Sequence, residues 1–196
     1  MTKENKLIGT ASGRIRFGRI ALAGLAGTLA TCVAFAGPEK VNLPPVDFRT
    51  SFTLIATRDM HLGGNAIADV YVNNVALQSG KGDKPLAPGS VIAMEVFGAK
   101  VDATNQPIFD AKGRMTKDQP RAINVMEKRA GWGVEYPDKL RNGEWEYASF
   151  NLQGVKSTNP TTGCFECHGT LRDLSMDFIY TRSELTEFAE KPAKTN

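Results

Sequence analysis

The chain has 196 residues and a formal charge of +3, with 41% hydrophobic and 23% charged residues and three cysteines. This balance suits an ordinary globular protein and excludes collagen-like, disordered and disulfide-dense classes. The positive charge belongs to the first 36 residues, where Lys3, Lys6, Arg14, Arg16 and Arg19 face Glu4 alone; without that net +4 the remainder carries −1, and nothing argues for a nucleic-acid partner.

Residues 1–36 read as a secretory signal peptide. A polar, arginine-containing stretch leads into the apolar run 20–30, and Ala34-Phe35-Ala36 offers a small-x-small cleavage site. The alternative is a retained anchor, but glycines and threonines break the run, which falls short of the ~20 apolar residues a membrane span needs. Cys32 follows Thr31, a poor context for lipidation, and the arginines are not paired as a twin-arginine signal requires. Export by a Sec-type route to a periplasm is expected, with no membrane attachment after cleavage, and residues 37–196 suit one compact domain.

Along that domain, 48–57 is rich in β-branched and aromatic residues and predicts a strand. Residues 58–65, with Gly63-Gly64, predict a turn; 67–72 a second strand; 73–79 one or two helical turns; 80–89 a loop. The clearest strand is 90–101, which contains Met94 and Phe97. Residues 102–121 form a polar insertion expected to be an exposed hairpin or loop, followed by strands at 122–128 and 144–152 around a glycine-containing connection. A last strand is expected at 176–181 and an amphipathic helix at 183–190, with Ser183 as its N-cap. The fold class is therefore mainly β (α+β): an antiparallel sheet with short helices. No long stretch carries the 3.6-residue period of a helical cytochrome.

The chemistry-bearing stretch is Cys164-Phe165-Glu166-Cys167-His168. Two cysteines three apart, with a histidine directly after the second, form the attachment sequence for a c-type haem. The two thiols add to the vinyl groups on one porphyrin edge, and the adjacent imidazole reaches the iron, so one pentapeptide supplies tether and axial ligand. One covalent haem c is expected, held by Cys164, Cys167 and His168, with His168 on the metal. Zinc is a weaker reading, because outside the first 36 residues the only further Cys or His is His61. A redox Cys-x-x-Cys pair normally follows a strand in a βαβ unit, whereas 157–163 is a polar loop; a plain disulfide stays open.

Several segments together resemble the cytochrome P-460 and cytochrome c′-beta family of periplasmic monohaem proteins. They are Phe48-Arg49-Thr50-Ser51-Phe52, Val70-Tyr71-Val72-Asn73, 88–95, Gly143-Glu144-Trp145-Glu146-Tyr147, the 164–168 motif and Asp177-Phe178-Ile179-Tyr180-Thr181. The resemblance implies a largely antiparallel fold, His168 as proximal ligand, an open or weakly occupied distal face, a homodimer, and nitric oxide binding or, in the P-460 branch, hydroxylamine oxidation. That branch carries a haem-linked lysine in a strand reading Gly-Thr-Val-x-Val-Lys-Glu. Here Met94 takes the lysine's place, and Lys100 lies six residues on, about 20 Å along a strand. On the same loose alignment the distal carboxylate of the hydroxylamine oxidisers falls near Asn124, with Glu127 close by.

Candidates for a sixth ligand are Met94, His61, Met60 and Met126; a Met in an apolar strand is more often core, and a loop histidine more often solvated. Met94 and Phe97 are assigned to the cofactor pocket, although their spacing puts them on opposite faces of a regular strand. The other aromatics, Trp132, Trp145, Tyr147, Phe150, Phe178 and Tyr180, are expected mostly in the core. Arg49 and Arg129 are candidate partners for haem propionates, and 127–129 otherwise reads as a solvated face. Three functions compete: a ligand-binding haem protein for nitric oxide or a similar small nitrogen species, an electron carrier with a Met or His sixth ligand and a redox partner protein, and a hydroxylamine oxidase.

Overall fold

A computed structural model describes residues 37–61 and 64–191, so the signal-peptide expectation lies outside the described residues. After a 3₁₀ turn at Pro38–Lys40 come α1 (Phe48–Ser51), β1 (Thr53–Met60), β2 (Ala66–Val72), α2 (Asn74–Ser79), β3 (Val91–Ala99), β4 (Lys117–Lys128), β5 (Trp145–Phe150), α3 (Thr162–Gly169) and α4 (Arg182–Glu190). The five strands pair in sequence order, every neighbour antiparallel. This is the expected mainly β fold with short helices.

Both faces of the sheet are covered. On the front face Val70, Val72, Ile92, Met126, Trp145 and Tyr147 form one core with Ala76 of α2, Phe165 of α3, Leu185 of α4 and Ile179 in the turns before α4. On the back face Tyr71, Ala93, Val125, Ala148 and Phe150 pack with Val41, Phe48 and Trp132. Alternation along each strand sends these two sets to opposite sides. Among the described residues no helix is long and apolar enough to cross a membrane.

Five local expectations need correction. The segment 48–57 is not one strand: Phe48–Ser51 is a helical turn, because the Asp47 carbonyl accepts from Thr50 and Ser51 N–H groups while Phe48 buries its ring edge-on to Tyr71 at 5.3 Å. Tertiary anchoring there overrides β propensity. The strand after it runs to Met60, into the expected turn. Strand β4 begins at Lys117, inside the expected insertion, because Pro120 is absorbed where the β3–β4 register shifts around Phe97. What remains of the insertion is a pair of turns, with the Asp102 carboxylate accepting from Thr104 and Gln106 and that of Asp110 from Lys112 and Arg114.

The expected last strand, 176–181, is instead a run of turns with left-handed φ at Asp177 (48°) and Phe178 (61°). Ile179 donates its N–H to the Met176 carbonyl at 2.9 Å, closing one of these turns. Helix α4 starts at Arg182 with Thr181 at the N-cap position, so Ser183 is not the cap; its hydroxyl donates to Glu184.

Candidate functional site

Helix α3 exists where it does because of Phe165. This residue is buried, edge-on to Tyr147 at 4.9 Å and tilted against Tyr136 at 4.8 Å. The buried Asn142 amide ties the same elements together, donating to the Phe165 carbonyl at 3.0 Å and to the Tyr147 hydroxyl at 3.1 Å. With Phe165 turned to the sheet, the helical period puts Cys164 with Cys167 one turn on, and with His168 four residues on. Both cysteines are exposed free thiols.

His168 is oriented from one side. Its Nδ1 lies 2.6 Å from the Phe178 carbonyl oxygen, which can only accept, so Nδ1 carries the proton and Nε2 keeps its lone pair. The ring packs between Tyr147 at 4.9 Å and Tyr180 at 5.3 Å. Burial is the larger influence on its pKa and holds it below the ordinary value against the opposing pull of the Phe178 carbonyl; the neutral imidazole is the form that ligates metals. Tyr180 donates to the Cys167 carbonyl at 2.9 Å, and Thr170 donates to the same oxygen at 2.8 Å, which closes the C-terminal end of α3.

The chemistry of this donor set discriminates. Partial desolvation by its surroundings, reinforced by the neighbouring Cys167, pushes the Cys164 thiol above its ordinary pKa. Among the described residues no three His, Cys, Asp or Glu side chains form a metal-holding group, so a structural zinc site lacks its ligands. Two tether thiols beside an imidazole pre-oriented through Nδ1 fit a haem, whose iron would take Nε2.

The sheet decides which other candidates share this side. Met94 lies on the front face, packed against the core that contains Phe165, and pairs in register with Asn124 of β4. The two positions singled out by the distal alignment are thus direct neighbours. Phe97 faces the back, with Ile67, Ala99 and Met115, and Lys117 Nζ stands 4.7 Å from its ring centre. It does not share a face with Met94, as their spacing along the strand implies.

Glu127 is also buried on the back face, paired with Arg129 and accepting from the Asn42 N–H. Arg49 makes a two-pronged pair with Glu95, 2.9 and 2.6 Å, on that face as well. Both arginines are therefore paired with carboxylates on the face opposite the one that seats α3. Nor is 127–129 a solvated face, since Glu127 and Lys128 are buried. Met126 lies in the front core, while Met60 and the exposed His61 sit at the far end of β1; Lys100 is exposed just beyond the end of β3.

Sequence reading missed Asn142, Lys128 and Asp177, whose roles depend on partners far along the chain. It also missed the buried Glu146, which accepts from the Tyr136 hydroxyl at 2.6 Å and from the Tyr147 N–H at 3.0 Å. The only early signal was the 143–147 segment, noted for its pattern and not for its hydrogen bonds.

A front face that seats this helix, and a histidine fixed through its inner nitrogen, define a haem-binding cytochrome. The family follows from comparison: the Cytochrome P460 family model matches residues 45–181, and the chain belongs to the cytochrome P460 family. No curated protein matches the chain.

Proposed function

We propose that this protein is an exported, periplasmic monohaem cytochrome whose haem is bound covalently through Cys164 and Cys167, with His168 as the only strong protein ligand and a distal position open to nitric oxide or a similar small, uncharged nitrogen species. The observation that carries this reading is the engagement of His168 Nδ1 by the Phe178 carbonyl, which leaves Nε2 free on the same helix as two exposed, unpaired cysteines one turn apart. A haem with a single imidazole ligand supplies a vacant axial position to a small ligand.

The chain's own residues favour an uncharged ligand. Ile92, Met94 and Val70 on the front face are apolar, and the front-face cation Lys128 is neutralised by its buried pair with Asp177. Met94 also supports a second reading, in which its thioether is the sixth ligand of an electron carrier with a redox partner protein, since it shares the face that seats α3. Hydroxylamine oxidation is least supported, because position 94 holds no lysine and Lys100 is at the exposed end of β3. Removal of residues 1–36 and pairing into a homodimer belong to the same proposal.

Absorption spectra of the haem-loaded protein, ferric and ferrous, with and without nitric oxide, separate these readings. High-spin spectra that shift on adding the gas are expected. Low-spin spectra in both oxidation states, unchanged by nitric oxide, would make Met94 or another side chain the sixth ligand and overturn the proposal.

A further inference from the structure

The segment that touches His168 is held in an unfavourable backbone shape. Ser175, Asp177 and Phe178 have φ of 54°, 48° and 61°, in the left-handed region that bulky side chains rarely adopt. Such strain persists only where the surroundings over-determine it. What determines it here is an ion pair: Lys128 Nζ lies 2.9 Å from both carboxylate oxygens of Asp177, and the two side chains are only 6% and 7% exposed. Asp177 Oδ2 also accepts from the Leu86 N–H at 2.8 Å, so the turn is gripped both from β4 and from the loop before β3. The Lys128 ammonium also stands over the Trp145 ring, 5.4 Å from its centre, fixing the cation to the sheet. One residue beyond Asp177, the Phe178 carbonyl makes the 2.6 Å contact with His168 Nδ1.

We propose that Lys128 and Asp177 are positioning residues for the proximal histidine. Their buried pair holds the strained Asp177–Phe178 turn, which aims the Phe178 carbonyl at Nδ1 and so sets the electron-donating strength of the imidazole on the iron. A carbonyl acceptor on Nδ1–H raises the basicity of Nε2, as hydrogen-bond partners of ligating histidines generally do. With the pair broken, the turn relaxes toward ordinary φ, the carbonyl withdraws, and the imidazole becomes the weaker donor. The inference rests on His168 being the proximal ligand.

The test is the iron–histidine stretching band of the ferrous, haem-loaded protein by resonance Raman spectroscopy, with the midpoint potential measured in parallel. Lys128→Met and Asp177→Asn are expected to lower the band's frequency and raise the potential, whereas Lys128→Arg, which keeps the cation, restores both most of the way. Asp177→Asn keeps an oxygen for the Leu86 N–H, so it decides the matter if Lys128→Met fails to fold. A wild-type band that neither variant moves overturns the inference and leaves the proximal assignment standing. A wild-type band that survives His168→Ala overturns the proximal assignment and this inference with it.

Discussion

Asn142 shows what a single buried side chain does at this site. Its amide serves one acceptor on β5 and one on α3, so Asn142→Ala strands the Tyr147 hydroxyl and the Phe165 carbonyl; a loss of roughly 2–4 kcal/mol is expected in urea unfolding, since each buried polar group left unpaired costs about 1–3 kcal/mol. Glu146 bears on pH. Burial pushes its carboxyl above the ordinary value, outweighing the hydrogen bonds from Tyr136 and Tyr147, and Glu135 and Glu39 act in the same direction. The folded protein therefore keeps a proton that the unfolded chain has already released, and stability falls as pH rises from the ordinary carboxyl range through the folded-state value. Glu146→Gln should flatten that slope and match or exceed wild-type stability at neutral pH, read from urea midpoints across the mildly acid range. A less stable variant with an unchanged slope contradicts this. The Cys164–His168 motif was legible because its chemistry is contiguous. Asn142 was not, because one of its partners, Phe165, lies 23 residues away and no periodicity marks it.

Among the elements, β3 was the most legible. Alternation along the strand puts Met94 and Phe97 on opposite faces, and the sheet has them so. The misread elements share a cause. Phe48–Ser51 and 176–181 carry strand-forming residues, yet each is bent by contacts made outside itself, the first by packing on Tyr71 and the second by Lys128. Helix α3 was unreadable for a different reason: with eight residues and only Phe165 buried, it has no apolar stripe to display. Phe165→Ala removes its one anchor. A cost of about 3–5 kcal/mol is expected from urea unfolding, as for other large aromatic truncations in cores, and a loss under 1 kcal/mol would mean that α3 is held by something other than this ring.

Across the whole molecule the two faces of the sheet divide the work. The front seats α3 and the candidate haem site. The back buries carboxylates in register, Asp69 opposite Glu95 and Glu127 opposite Glu146, an arrangement of like charges that is unfavourable unless neutralised. Lys117, Arg49 and Arg129 pair with Asp69, Glu95 and Glu127, so these cations are structural. Arg49→Ala should cost about 1–3 kcal/mol by leaving Glu95 buried without its partner, the figure discounted because Arg49 itself is 43% exposed, while the haem spectrum stays that of wild type. A changed spectrum would return Arg49 to the site. Which cations meet Glu95 and Asp69 was not legible in the sequence, because those two pairs join residues 46 and 48 positions apart.

The most direct measurement is the intact mass of the matured protein after acid–acetone extraction, set beside a Cys164→Ala, Cys167→Ala double variant. One haem retained by the wild type and none by the variant is the expected result. A wild-type chain that loses its haem on extraction, or that carries a Cys164–Cys167 disulfide in its place, would contradict covalent attachment at α3 and with it the proposed function.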